Sequence, residues 1–138
     1  MDDEPLNLVL FSGTEDRLQA AAVMASGAAA LGRRVNIFLQ YWALDAFRKE
    51  RISASLGLAP EAGERGATLI AEAAKAGQQP WHATLRVAKE LGEMDIQACS
   101  LSMDVLKIEE EDLDPLVDGV EGVTAFFLNA GDGHILFI

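Results

Sequence analysis

The apolar run at residues 6–11, LNLVLF, ends abruptly at Ser12-Gly13 and restricts the fold more than any other stretch. Its length and content are those of a strand buried on both faces. A helix is predicted to follow. Thr14 can cap it, Glu15 and Asp16 suit its positive end, and Gly32 is placed to stop it after residue 31. Its many alanines permit close contact with a sheet and predict tight packing rather than a surface helix. A second strand at 34–39, RVNIFL, leads through Gln40-Tyr41-Trp42 into a short helix over residues 43–51. This alternation argues for a parallel sheet with helices on its faces.

The stretch 53–80 is the least regular. It holds Gly57, Pro60, Gly63, Gly66, Gly77 and Pro80, yet its middle, 67–76, keeps helical spacing with Leu69, Ile70 and Ala73 on one side. It reads as a mobile connection carrying a short helix, and loops of that length serve as lids or partner sites as well as plain insertions. Pro80 suits the first turn of a helix that runs through Leu85, Val87, Ala88 and Leu91 to Gly92. A third strand is predicted at 95–99, DIQAC, with a helix over 100–106 directly after it. Residues 109–114 form an acidic, solvated helix or turn. A fourth strand at 117–120, a helix at 123–129 broken by Gly131 and Gly133, and a last strand at 134–138 complete the chain. The expected architecture is one domain over 1–138: an open, mainly parallel five-stranded sheet with helices on both faces. In such sheets ligands bind beyond the carboxyl ends of the strands. Three such ends are Ser12-Gly13, Tyr41-Trp42 and Cys99-Ser100.

Charge narrows the partners. The chain of 138 residues carries 22 acidic and 11 basic side chains, a formal net charge of -11. Such a protein repels phosphate backbones, and no basic stripe overrides this, so nucleic acid is not an expected partner. The acidic start, Met1-Asp2-Asp3-Glu4, lacks the basic opening of a signal peptide, and no apolar stretch approaches the ~20 residues of a membrane span. The protein reads as cytoplasmic.

Cys99 is the single cysteine, which excludes an intramolecular disulfide. A thiol works as its thiolate, and a helix that starts directly after it favours negative sulfur through unpaired N–H groups and the helix dipole. Ser100 and Ser102 add hydroxyl donors, and the same arrangement would cradle the outer sulfur of a persulfide. Against this stands simple packing, since free cysteine is among the most buried residue types. Other chemistry is poorly supported. His82 and His134 show no metal-ligand spacing. Ser12-Gly13-Thr14 could hold an anion but lacks both GxGxxG and a P-loop lysine. The run 109–114 lacks EF-hand spacing. No cofactor and no metal are expected.

The segment Cys99-Ser100-Leu101-Ser102-Met103-Asp104 resembles the cysteine motif of DsrE/DsrF-like proteins, in the subgroup sometimes labelled peroxiredoxin-like. The first strand with Ser12-Gly13, the alanine-rich helix ending at Gly32, Tyr41-Trp42, and Val117-Asp118-Gly119-Val120 before a helix and terminal strand are similar to that subgroup too. The resemblance implies a flavodoxin-like three-layer sandwich and assembly into trimers or hexamers. It further implies a sulfur-relay role: a sulfurtransferase-like carrier whose cysteine accepts sulfane sulfur and passes it to rhodanese-like or TusA-like proteins. Only Cys99 matches a catalytic position. Ser12, Gly13, Tyr41, Trp42, Ser100, Ser102 and Met103 are the expected pocket residues around it. With one cysteine, neither an intramolecular shuttle nor a resolving disulfide is available, which also weakens a peroxidase reading. The alternative is an oligomeric, non-catalytic module that binds a small molecule or a protein, with Cys99 as packing.

Overall fold

The structure, a computed structural model, describes residues 4–138; residues 1–3, part of the acidic start, lie outside the described residues. Five strands form one sheet: β1 (Leu6–Leu10), β2 (Val35–Leu39), β3 (Met94–Cys99), β4 (Gly119–Glu121) and β5 (Ile135–Phe137). Their order is β4-β3-β2-β1-β5, and all four pairings are parallel. The layers are flavodoxin-like, but the last strand, instead of an early one, closes the far side of β1. β1 and β2 are buried along their whole length, as a strand covered on both faces must be.

Six helices connect the strands: α1 (Glu15–Ala30), α2 (Tyr41–Ala46), α3 (Gly66–Lys75), α4 (Trp81–Leu91), α5 (Ser100–Leu106) and α6 (Val123–Ala130). Right-handed crossovers put the connections after β1, β2 and β3 on one face, and α6, which returns the chain across the sheet to β5, on the other. Side-chain parity agrees. Leu6, Leu8, Leu10, Val35, Ile37, Leu39, Met94, Ile96 and Ala98 point into the main core with α1 and α4. Val9, Phe38 and Cys99 point the opposite way and meet Phe126 of α6 in a second, smaller cluster.

On the first face α1 lies close to the sheet along Leu18, Ala21, Ala22, Ala25 and Ala29. Small side chains allow this approach. The tight contact with the sheet is as expected, but the helix is also a surface helix: Val23 and Met24 on its outer side are exposed. Thr14 occupies the N-cap, but its hydroxyl pairs with Ser12 Oγ at 3.2 Å and caps no helical N–H. At the other end Gly32, with φ +79°, turns the chain out of the helix.

The second face has one helix for five strands. Two buried asparagines hold it. Asn36 Nδ2 donates to Asn7 Oδ1 (2.9 Å) and to the Asn129 carbonyl (3.3 Å), while Asn7 Nδ2 donates to the Ala130 carbonyl (3.2 Å). These side chains supply partners for carbonyls at the end of α6, which have none within the helix. Phe126 stacks on Phe38 with ring centroids 5.0 Å apart. Ile135, Phe137, Phe127 and Leu128 remain exposed around this contact.

The helix after β2 starts at Tyr41 and stops at Ala46, earlier at both ends than its composition suggests. Beyond it, Arg48 forms an antiparallel bridge with Leu113, and extended pairing is incompatible with continued helix. Residues 53–80 contain a 3-10 turn (Pro60–Ala62) and α3, whose Leu69 and Ile70 stay partly exposed.

Two carboxylates anchor the chain that leads into β4. Asp114 receives both guanidinium nitrogens of Arg86 at 2.9 Å and the Leu116 N–H at 2.9 Å. Asp118 accepts the Ile96 N–H at 2.8 Å, donates its own N–H to the Ile96 carbonyl at 2.7 Å, and pairs with Lys89. Burial pushes the Asp114 carboxyl up, but the Arg86 and Leu116 bonds outweigh it and hold it below the usual range. A carboxyl depressed in the folded state contributes stability above its unfolded pKa and loses it as pH falls through the folded value. Asp114→Asn should therefore cost about 2 kcal/mol in urea denaturation at neutral pH. The difference from wild type should shrink as pH falls through and below the ordinary carboxylate range.

Candidate functional site

The all-parallel sheet brings every strand's carboxyl end to one edge. Ser12-Gly13 follow β1, Gln40-Tyr41 follow β2, Cys99-Ser100 end β3 and begin α5, and Gly122 follows β4. Backbones approach closely there. A Cβ on Gly13 would lie 2.4 Å from the Trp42 carbonyl oxygen, so only glycine fits. Tyr41 has φ +44°, a left-handed conformation unusual for a bulky residue. Its N–H donates to Ser102 Oγ at 3.0 Å, and Ser102 is fully buried. This bond ties the start of α2 to the first turn of α5. Phe137, Phe11, Tyr41 and Trp42 form a continuous row of ring contacts along the same edge, with centroids 5.5–6.3 Å apart.

The expected pocket residues separate into three places. Ser12, Gly13 and Trp42 line a cavity of about 390 Å3 with Arg17, Asp45 and Arg51. Arg17 pairs with Glu61 at 3.1 Å, whereas Arg51 Nε lies 3.3 Å from Asp45, which Arg48 already engages, and makes no hydrogen bond. Nearby, burial pushes the Asp16 carboxyl up, but hydrogen bonds from the Ala59 N–H and from Thr14 prevail and lower it. Tyr41 and Ser102 are joined by their buried bond, and Met103 packs in the main core. Cys99 stands apart from that cavity, on the opposite face of the sheet.

Cys99 is the last residue of β3 and the N-cap of α5. It is 5% exposed, walled by Val9, Phe38 and Phe126. Ser100 beside it is exposed, and its Oγ is 3.8 Å from where a Cβ on Gly122 would lie. The starts of α5 and α6 therefore adjoin at the thiol. In the β3–β4 ladder Cys99 pairs in register with Glu121, so their side chains leave the sheet on the same face. Burial raises the Glu121 carboxyl, and the negative charge of Asp95 raises it further; a bond from Asn129 Nδ2 at 3.3 Å opposes both. Among the described residues no lysine or arginine pairs with Glu121 or Asp95.

Sequence reasoning missed Glu121, because the predicted fourth strand stopped at residue 120 and a parallel register is not written in one sequence. An acidic residue directly before the glycine that opens α6 was the available signal. The histidines stay apart: His82 lies on α4 against Trp81, and His134 precedes β5. Burial and the Arg86 charge lower the His82 pKa, with Asp114 opposing. Among the described residues no three His, Cys, Asp or Glu side chains gather as metal ligands, and no helix is long and apolar enough to cross a membrane. Ser102→Ala should cost about 1–2 kcal/mol in urea denaturation, because the Tyr41 N–H loses its buried acceptor at a strained residue.

Residues 2–76 match the DsrE/DsrF/DrsH-like family. That stretch ends before β3, so Cys99 lies outside it. A second similarity covers nearly everything: the chain is 33% identical over 153 residues to "Uncharacterized protein YrkE" of Bacillus subtilis (strain 168), spanning 95% of this chain and 94% of that one. Among solved structures, the protein of unknown function MTH1491 from Methanobacterium thermoautotrophicum superposes with a TM-score of 0.60 at 12% identity. It covers 99% of this chain and 100% of its own, and at that identity it shows a shared fold. The match over residues 2–76, more than half of the chain, shows that the chain belongs to the DsrE/DsrF/DrsH-like family.

Proposed function

We propose that this protein is a sulfur carrier, with Cys99 accepting sulfane sulfur from one molecule and yielding it to the thiol of another. Family membership suggests a sulfur-relay-related role. One observation carries the assignment to Cys99. The only cysteine of the chain ends β3 at the edge where the starts of α5 and α6 adjoin. Its apolar walls, Val9, Phe38 and Phe126, would shield a bound persulfide from water. With no second cysteine, each sulfur must arrive from, and leave to, another molecule. Rhodanese-like and TusA-like proteins are the partners this reading favours.

A thiol 5% exposed limits access to slender donor groups. The same burial favours the second reading, a non-catalytic binding module in which Cys99 is packing. The two part on one experiment. After incubation with glutathione persulfide or a persulfidated rhodanese, intact-mass spectrometry should show one added sulfur on the wild type and none on Cys99→Ser. No adduct with either donor, or an adduct that survives the substitution, would remove the carrier reading.

Assembly into a trimer or hexamer belongs to the same proposal. Ile135, Phe137, Phe127 and Leu128 leave the thinly covered face apolar and exposed, and such a surface suits contact with further copies. Phe127→Glu should leave the fold intact by circular dichroism and reduce the sedimentation coefficient to that of a monomer. An unchanged coefficient would place any contact elsewhere.

A further inference from the structure

The strand order reverses at β1, which has β2 on one side and β5 on the other. Open parallel sheets bind ligands beyond the strand carboxyl ends at such a reversal. The chain that leaves β1 there, from Phe11 to Thr14, walls a cavity of about 390 Å3. That is within the range of small-molecule sites, roughly 300–1,000 Å3. Arg17 of α1, Trp42 and Asp45 of α2, and Arg51 and Leu56 beyond α2 complete the lining. We propose that this cavity binds a small organic monocarboxylate, its charge held by Arg51 and Arg17 and its apolar body by Phe11, Trp42 and Leu56. The site is apart from Cys99, on the other face of the sheet, and does not depend on the carrier reading.

The cavity holds more donors than its own acceptors satisfy. Arg48 bonds Asp45 Oδ1 at 2.8 Å and Glu50 as well. Arg51 Nε is left 3.3 Å from Asp45 Oδ2 without hydrogen-bond geometry, although that nitrogen is buried. A buried donor with no acceptor is rare in a folded protein, because its lost hydration is not replaced. Arg17 Nη2 pairs with Glu61, which is 74% exposed and therefore a water-screened partner. Arg17 Nη1 reaches Ser12 Oγ only at 3.4 Å. Among the described residues the Gly13 N–H and the Trp42 indole N–H bond to no protein group. Asp45 is the one carboxylate in the lining, against two guanidinium groups. Asp16, close by, accepts the Ala59 N–H with both its oxygens.

These surroundings select the ligand. Two guanidinium groups facing one carboxylate suit a single negative charge, while a dianion would meet the repulsion of a chain with a net charge of -11. The planar guanidinium fork matches a carboxylate, and a bound carboxylate would give Arg51 Nε the acceptor it lacks. Opposite the charges, Phe11, Leu56 and the Trp42 ring offer apolar surface, and Trp42 is still 54% exposed. That side calls for an organic body and disfavours a bare inorganic ion.

The test is a heteronuclear amide NMR titration of the full chain with sodium benzoate. The Gly13 amide and the Trp42 indole should shift saturably, with a Kd of about 1 mM or tighter. Cys99→Ser should bind benzoate as the wild type does. Benzyl alcohol, the uncharged analogue, and sodium sulfate at matched ionic strength should each bind at least about tenfold more weakly, as loss of the charge-assisted bonds or of the apolar contact requires. Arg51→Gln should weaken benzoate binding at least about tenfold for the same reason, and Arg17→Gln serves if Arg51→Gln does not fold. No saturation by about 10 mM, well above a millimolar Kd, overturns the proposal. So do shifts confined to other residues, either control binding within tenfold of benzoate, or a folded arginine variant within tenfold of the wild type. None of these results bears on sulfur transfer at Cys99.

Discussion

The pairing of Asp118 with Ile96 is the contact on which the candidate site depends. Its backbone and side chain bind both the N–H and the carbonyl of one β3 residue, while Lys89 holds the carboxylate from α4. β4 is only three residues long and could not define its own register by packing alone. Once Asp118 is held beside Ile96, Gly119 falls opposite Gln97 and Glu121 opposite Cys99. A slip by one residue would turn Glu121 to the other face, because strand side chains alternate. The environment of the thiol is therefore set three residues before Glu121, by a polar anchor at the strand's entrance.

The two faces of the sheet do different work. The face under α1 and α4 is aliphatic and alanine-rich, and supplies most of the buried apolar area. The α6 face is sparser and more polar. It holds α6 by Asn7 and Asn36 and by one aromatic stack, and it contains the only cysteine. Buried amides restrict α6 to positions where their bonds are met, since an unmet one costs about 1–3 kcal/mol. That exchange of packing for orientation holds Phe126 of α6 over Val9, Phe38 and Cys99.

Much of the fold is legible in the sequence. The runs at 6–11 and 34–39, the Gly32 stop and the abrupt change at Cys99-Ser100 mark elements whose local chemistry and tertiary roles agree. Where the two diverge, long-range contacts decide. The start of α2 at Tyr41 depends on a Ser102 hydroxyl sixty-one residues away, and its end on a bridge to Leu113. The outward side of α1 could not be known from alanine content. For the site, Cys99 was legible by type and position. Which face it occupies, and that the Ser12–Trp42 cavity lies on the other, follow from strand parity and from connections that no local pattern encodes. Glu121 was hidden for the same reason.

If Cys99 holds sulfur, it does so enclosed by Val9, Phe38 and Phe126. The most direct measurement is a crystal structure of the protein after treatment with glutathione persulfide. Difference density one sulfur beyond Cys99 Sγ, under α6, is the predicted result. An unmodified Sγ sealed against Val9, Phe38 and Phe126, in crystals grown from fully treated protein, would contradict the account and leave Cys99 as packing.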